Sequence, residues 1–142
     1  MVRYSPWRHL RSLPEIDLHW TDDDQLLDGA HAWYYDRLRA IVMDKRLTQV
    51  ERRSVIAHEL GHAIRGDLPC GSDRLDWRQE AVVDQWAARK LIELPALVDA
   101  LKWSDDPAEV ADALWVTVDL LEVRIAHLHP SERSVLRAAL SG

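Results

Sequence analysis

Residues 48–66 are TQVERRSVIAHELGHAIRG, and this stretch carries both a start signal and a stop signal for one helix. Thr48 and Glu51 form a capping-box pattern, in which each side chain accepts a hydrogen bond from the other residue's backbone N–H. Gly66 is a natural C-terminal stop. Between these limits, four apolar residues supply a buried side: Val55, Ile56, Leu60 and Ile64. The pattern therefore predicts a helix that begins after Thr48 and ends near Gly66.

The last turns of this predicted helix contain HELGH at residues 58–62, the pattern H-E-x-x-H. Helical residues four apart lie on one face, so His58 and His62 would both reach a single Zn²⁺ ion. Glu59 is offset from that face, so it would miss the ion and hold the attacking water. The stretch therefore predicts a zinc site in which Glu59 is the catalytic residue.

A catalytic zinc ion usually takes three protein ligands, so a third ligand is expected downstream. The metzincin pattern would need Gly at position 65 and His at position 68, and this chain has Arg65 and Leu68 there, which excludes that class. The gluzincin arrangement uses a Glu on a second helix, and Glu80 supplies it. Asp84 shares a helix face with Glu80 and would accept a hydrogen bond from the far ring nitrogen of a ligand His.

Two alternatives to a catalytic site stay open at this point. The first is a solvated helix with two incidental His residues. The second is a structural zinc site, which would need a fourth ligand, and Cys70 is the only obvious donor. Otherwise Cys70 is a plain or partly buried loop thiol. The acidic run at residues 22–24 is interpreted as a solvated loop in preference to a calcium site.

Length and composition limit the class of protein. A chain of 142 residues is expected to form one soluble globular unit. The formal charge of −6 argues against non-specific binding to nucleic acid. No apolar run approaches the ~20 residues that span a bilayer, and the N-terminus lacks the apolar region of a secretory signal. One cysteine fits a reducing cytosol. We therefore expect a cytoplasmic protein with neither membrane nor direct nucleic-acid contacts.

Periodicity and turn residues predict an α+β fold. A small antiparallel sheet would pack on a zincin helix pair, and a helical, helix-turn-helix-like tail would follow. The predicted domains are a zincin-like domain over residues 1–104 and a helical extension packed on it over residues 105–142. Besides the motif helix, the predicted strands are 16–20, 32–36 and 39–44, with a loop over 21–28, and the predicted helices are 7–12, 76–94, 96–103, 108–114, 117–128 and 131–140.

Two runs of sequence resemble the motifs of a known family. HELGHA at residues 58–63 and EAVVDQWAA at residues 80–88 are similar to the two motifs of the ImmA/IrrE family of bacterial metallopeptidases. Trp86 stands where the family more usually has Phe, and RKLI at residues 89–92 replaces the commoner Glu-Leu-Leu. The resemblance extends over residues 16–128.

The resemblance implies a zinc-dependent endopeptidase with a gluzincin-like site. Members of the family typically cleave a helix-turn-helix repressor that controls phage, mobile-element or stress genes, so such a repressor is the expected partner. The resemblance assigns His58, His62 and Glu80 to Zn²⁺. It assigns Glu59 to catalysis and Asp84 to the orientation of a ligand His.

A peptidase also needs a donor for the oxyanion and a surface for the substrate backbone. The candidate donors are four residues among which spacing does not choose: Tyr34, Tyr35, His31 and His127. The strand 39–44 precedes the motif helix and is expected to be an edge on which an extended substrate could pair.

Two other functions compete with the peptidase. The runner-up is a binding module that sequesters a repressor on a zincin scaffold without cutting it. The weaker option is a DNA-binding regulator that uses the tail, which the acidic residues Asp119 and Glu122 oppose. Three tail arginines would either contact the repressor or be solvated: Arg124, Arg133 and Arg137.

Overall fold

The fold was obtained as a computed structural model, which describes the backbone of residues 3–65 and 73–142 and the side chains of these residues except 73–77. These parts of the chain form eight α-helices and three strands, with a short 3-10 turn over Asp36–Leu38. In chain order the elements are α1 (Pro6–Arg11), β1 (Asp17–Thr21), α2 (Asp24–Leu27), β2 (Ala32–Tyr35), β3 (Ala40–Asp44), α3 (Gln49–Arg65), α4 (Asp73–Leu91), α5 (Leu94–Trp103), α6 (Pro107–Leu114), α7 (Val118–Ala126) and α8 (Pro130–Leu140). The predicted α+β class is confirmed.

The sheet is mixed, with strand order β1-β3-β2. β2 and β3 pair antiparallel, as predicted for the whole sheet, whereas β1 pairs parallel with β3 from Asp17↔Ala40 to Thr21↔Asp44. The chain leaves β1, passes through α2 and β2, and returns in β3 in the direction of β1. The turn-rich residues 21–28, predicted as a loop, contain the short helix α2, which Asp23 caps through its side chain.

The strand order corrects one prediction about the substrate edge. Residues 39–44 were expected to offer a free edge, and this is wrong, because β3 is hydrogen-bonded on both sides. Within the described part of the chain, the free edges belong to β1 and β2. The apolar run AIVM at residues 40–43 identifies β3 as a strand, but it does not show which strands pair with β3.

The start of α3 follows the capping-box prediction. The Thr48 backbone N–H donates to Glu51 Oε1 at 2.9 Å, and the Glu51 N–H donates to Thr48 Oγ1 at 3.2 Å. The helix runs to Arg65 in the described residues. The predicted stop at Gly66 and the predicted role of Cys70 lie outside the described residues.

Two hydrophobic cores flank α3. The sheet core lies between the sheet and one side of α3, and its buried residues are Ile16, Ala32, Ile41, Met43, Leu47, Ile56, Leu60 and Ala63. The helical core lies on the other side and is built from residues of α3 to α7 and their connections, namely Ala57, Ala87, Ala88, Leu91, Ile92, Leu97, Ala100, Val110, Ala111, Leu114, Val116, Leu120, Leu121 and Leu128. Because α3 contributes to both cores, its side chains are held from two directions.

The helices after α3 differ from prediction only at their ends. α4 begins at Asp73 and ends at Leu91, against the predicted 76–94, and α5 begins at Leu94, before the predicted 96. The three tail helices stand where they were predicted, and Trp115 ends α6 in a left-handed conformation with φ 58°. The helical core contains residues on both sides of position 104, and the division into two domains stays a prediction. In the described chain, no helix combines the length and apolarity needed to cross a membrane.

Candidate metal centre

Three side chains from α3 and α4 converge on one point. His58 Nε2 lies 2.8 Å from Glu80 Oε2, and His62 Nε2 lies 2.9 Å from Glu80 Oε1. The two Nε2 atoms are 3.1 Å apart. Among the described residues these three form a group able to hold a metal ion. The side chains of His58 and His62 are 20% and 13% exposed and that of Glu80 is 53% exposed, so the centre is accessible from the Glu80 side.

Asp84 fixes the orientation of His58. Asp84 Oδ1 lies 2.8 Å from His58 Nδ1, one turn of α4 beyond Glu80. An ionised carboxylate only accepts hydrogen bonds, so Nδ1 carries the hydrogen and Nε2 of the neutral ring presents its lone pair. This lone pair faces a second carboxylate and the Nε2 atom of His62. The arrangement needs a positive charge between these atoms, either a proton or a metal cation.

The pKa shifts of His58 and Glu80 also show that this centre favours a positive charge on the histidine side. Burial lowers the pKa of His58, but the hydrogen bonds to Asp84 and Glu80 outweigh burial and raise the pKa to about 10. Hydrogen bonds from His58 and His62 hold the pKa of Glu80 well below its usual range. The centre therefore stabilises a cation on the histidine side and an anion on Glu80.

The donor set fits zinc. In a tetrahedral site with zinc–ligand distances of about 2.0–2.1 Å, ligand atoms lie about 3.3 Å apart. The observed separations of 2.8, 2.9 and 3.1 Å would need only a small expansion to accept the ion. Two imidazoles and one carboxylate are also a common ligand set of catalytic zinc, in which a fourth position is left for water.

Glu59 lies beside the centre and is buried, with 7% of its surface exposed. The backbone N–H of Tyr34 in β2 lies near this carboxylate. Burial raises the pKa of the Glu59 carboxyl above its ordinary value. The sheet thus borders Glu59, while α4 supplies Glu80 to the same centre.

The close crossing of α3 and α4 depends on Gly61. A Cβ atom at this position would lie 2.9 Å from Val83 Cγ1 and 3.2 Å from Trp86 Cε3, closer than ordinary van der Waals contact. The absence of a side chain at Gly61 therefore lets α4 approach α3. This approach brings Glu80 and Asp84 within reach of the two histidines, which lie on either side of Gly61 in sequence.

The centre opens into a cleft with a volume of about 770 Å³. α3 forms its floor, β2 and the preceding residues form one wall, and α4 and α7 form the other. Besides the residues already described, its lining includes Ala30, His31, Ala32, Trp33, Glu51, Ser54, Val55, Gln79, Thr117, Asp119, Leu120 and Val123. A cleft of this size with polar groups at one end is typical of a site for a small ligand or a peptide segment.

Residues 18–126 match the model of the Peptidase_M78 family, described as the IrrE N-terminal-like domain. The chain belongs to this family. No curated protein and no solved structure matches the chain. Membership of a peptidase family implies a protein substrate, and the group of His58, His62 and Glu80 is consistent with a metal-dependent member. The predicted resemblance to ImmA/IrrE proteins is confirmed.

The four predicted oxyanion donors of this IrrE-like domain differ in their positions relative to the cleft. His31 and Tyr34 line the cleft, and Tyr35 and His127 are not among its described lining residues. The Tyr34 hydroxyl donates to Asp36 Oδ1 at 3.3 Å, so it is already engaged outside the centre. The ring of His127 is exposed and lies 3.0 Å from the Val123 carbonyl oxygen through Nδ1. The assignment of the donor stays a prediction.

The contribution of α7 to the cleft of this IrrE-like domain was missed in the sequence. Thr117, Leu120 and Val123 recur at helical spacing and line the cleft, although the tail was expected only to pack on the domain or to hold a repressor. The spacing was a usable signal for a shared face. It did not say what that face meets, because this depends on how the tail returns to α3.

Proposed function

We propose that this protein is a zinc-dependent endopeptidase that hydrolyses a peptide bond in a partner protein in the cytoplasm. The expected substrate class is a helix-turn-helix repressor that controls phage, mobile-element or stress genes, as the ImmA/IrrE resemblance implies. One observation carries the proposal. The metal-ligand group of His58, His62 and Glu80 stands beside the buried carboxylate Glu59 in a cleft large enough for a peptide segment.

Each residue has a defined part in this proposal. His58, His62 and Glu80 would hold the ion, and Asp84 would keep His58 in the required tautomer. A bound zinc ion supplies polarisation of the scissile carbonyl and a lower pKa for water. Glu59 takes a proton from the attacking water, whose oxygen bonds to the carbonyl carbon, and delivers it to the leaving nitrogen as the C–N bond breaks.

The free edge of β2 is the proposed surface for the substrate backbone. The Asp44 N–H donates to the His31 carbonyl at 2.9 Å, so the antiparallel pattern places the β3-facing groups on Trp33 and Tyr35. The groups of Ala32 and Tyr34 consequently point to the other edge, where the Tyr34 N–H lies near Glu59. The Ala32 N–H and C=O and the Tyr34 C=O are therefore suited to pair with an extended peptide.

The experiment that tests the function compares the parent with Glu59→Gln. Both zinc-loaded proteins are mixed with the purified repressor encoded beside this gene, and cleavage is followed by mass spectrometry. We expect the parent to cut one bond and Glu59→Gln to be slower by at least about 100-fold. Bound zinc is measured in both proteins, because the comparison requires that Glu59→Gln retain it.

The competing hypothesis predicts a different result. If the protein is a non-cleaving anti-repressor, the parent and Glu59→Gln should bind the repressor equally well, and neither should produce fragments. If the parent and Glu59→Gln relieve repression of the controlled genes equally and without cleavage, the peptidase proposal is wrong and sequestration is supported.

The ligand assignment is tested by a matched pair of acidic residues. Glu80→Ala removes one of three ligands, so we expect zinc affinity to fall by at least about 100-fold. Glu93→Ala is the control, because Glu93 precedes α5 and makes no side-chain capping hydrogen bond there. Zinc is measured by competition with a chromogenic chelator. Retention of one tightly bound zinc ion by Glu80→Ala would refute the third ligand.

A further inference from the structure

The wall of the cleft opposite β2 is formed partly by α7, a helix of the tail. The N-cap residue Thr117 and the α7 side chains Asp119, Leu120 and Val123 line the same cleft as the metal-ligand group. Val55 of α3 lines it too and lies one helical turn before His58, about 4.5 Å along the helix axis. Apolar side chains of two helices therefore line the cleft that contains the metal centre, and Val55 is one turn of α3 from His58.

The start of α7 is anchored to α3. The Thr117 backbone N–H donates to Ser54 Oγ at 3.3 Å, and Ser54 is buried on α3. Arg53 Nη1 donates to the carbonyl oxygens of Leu114 and Trp115 at 3.3 and 2.8 Å. These bonds hold the turn between α6 and α7 against the helix that carries both histidines.

The other end of α7 is anchored to α4 and α8. Arg124 Nε donates to the Ile92 carbonyl at 2.7 Å just beyond α4, and its guanidinium contacts Glu132 of α8 at 2.8 Å. The Arg124 side chain is 2% exposed, so this anchor is buried. With both ends fixed, Leu120 and Val123 form a wall whose distance from the metal centre is set before any ligand binds.

We propose that Val55, Leu120 and Val123 form a specificity pocket that takes an apolar side chain of the substrate next to the cleaved bond, with α7 as its selective wall. The proposal rests on the proposed function, because it places the scissile bond at the metal centre. Backbone pairing with β2 is insensitive to side chains, whereas a preformed apolar pocket favours leucine-like over small residues. The tail thereby contributes to substrate choice in the peptidase site itself.

Two amino-acid hydroxamates test the pocket without requiring cleavage. Leucine hydroxamate and glycine hydroxamate share the metal-chelating group and differ in the side chain offered to the pocket. Binding of each to the zinc-loaded full chain is measured by calorimetry. We expect the parent to bind leucine hydroxamate at least about tenfold more tightly than glycine hydroxamate.

Val123→Ser should reduce this preference by at least about fivefold and leave glycine hydroxamate binding unchanged. Val123 is chosen because it is only partly buried, so the variant is expected to fold. Val135→Ser is the matched control, since Val135 is 50% exposed on α8 and is not among the lining residues of the cleft. The control should behave as the parent.

The outcomes separate the pocket from the function. Equal binding of the two hydroxamates by the parent overturns the pocket and leaves the metal site standing. An unchanged leucine preference in Val123→Ser overturns the role of α7. If the zinc-treated parent binds neither hydroxamate, the metal site fails and the pocket proposal fails with it.

Discussion

The sheet core and the helical core hold different halves of the candidate site. The sheet core positions β2, whose Tyr34 N–H lies near the Glu59 carboxylate. The helical core positions α4, which carries Glu80 and Asp84, and α7, which lines the cleft. Only α3 contributes to both. The residue proposed for proton transfer is thus supported from one core, and the third metal ligand from the other.

Because the two cores position different parts of the site, stability and function need not be lost together. A defect in the sheet core should disturb Glu59 before it disturbs the metal ligands. A defect in the helical core should move Glu80 or the α7 wall first. Paired variants test this separation, with free energies of unfolding measured in the presence of a chelator so that metal binding does not contribute.

The largest effect is expected from cavities in the two cores. Leu121 is 2% exposed in the helical core and Ile41 is fully buried in the sheet core. Leu121→Ala and Ile41→Ala should each lower the free energy of unfolding by about 3 kcal/mol in urea titrations. Leu121→Ala should also weaken zinc binding, whereas Ile41→Ala, opposite Tyr34 in the sheet, should affect it less. Identical zinc losses in the two variants would contradict the separation.

The next largest effect is expected in a cluster of charged side chains that joins α4, α7 and α8. Glu132 binds both Arg124 and Arg89 at 2.8 Å and accepts from the His129 N–H at 2.9 Å. The hydrogen bonds from Arg124 and Arg89 hold the pKa of Glu132 well below its usual range. Its contribution to stability is therefore complete above the ordinary Glu pKa of about 4.3 and is lost as the pH falls below that value.

Glu132→Gln should cost about 2 kcal/mol at pH 7, because it leaves the buried Arg124 without its counter-charge. The cost should shrink as the pH falls below about 4, where the parent begins to lose the same interaction. Unfolding free energies at several pH values check both statements. Glu109→Gln, on the exposed side of α6, is the control. A cost that stays constant down to a pH of about 2 would argue against the cluster as the cause.

Gly61 lies where α3 crosses α4. Gly61→Val places a side chain against Val83 and Trp86, so we expect a loss of about 2 kcal/mol and at least about tenfold weaker zinc binding as the helices separate. Gly142→Ala is a neutral comparison, because a Cβ there would meet nothing within 4 Å. Full zinc affinity in a destabilised Gly61→Val protein would mean that the crossing does not position Glu80.

The smallest effect is expected at the start of α3. Thr48→Ala removes the hydroxyl that accepts from the Glu51 N–H and should cost about 1 kcal/mol. Because the cap is remote from both histidines, zinc affinity should match that of the parent. Thr48→Ser, which keeps the hydroxyl, should recover most of the stability. A loss of zinc binding in Thr48→Ala would show that the two ends of α3 are coupled.

Much of this architecture follows from local sequence signals. The capping box set the start of α3, and helical spacing correctly placed the two histidines on one face. The spacing of Glu80 and Asp84 likewise predicted two carboxylates on one face of α4, and the structure places both against His58. These features depend on hydrogen bonds and side-chain positions within one or two turns of helix.

What sequence did not reveal depends on contacts between distant segments. The central position of β3 arises because β1 pairs with it in parallel, which no pattern within residues 40–44 specifies. The group of Tyr34 that lies near Glu59 is a backbone N–H, and any residue except proline could supply it. The role of α7 depends on Arg53 and Ser54, which look like ordinary helix residues until the turn after α6 lies against them.

The position of β1 has a consequence for local unfolding. β1 lies at the sheet edge opposite β2, with β3 between them. Its amide protons can therefore exchange with solvent through a local opening that detaches β1 while the hairpin of β2 and β3 stays formed. Such an opening leaves Tyr34 beside Glu59. The fold thus allows β1 to open locally while the β2 wall of the cleft keeps its structure.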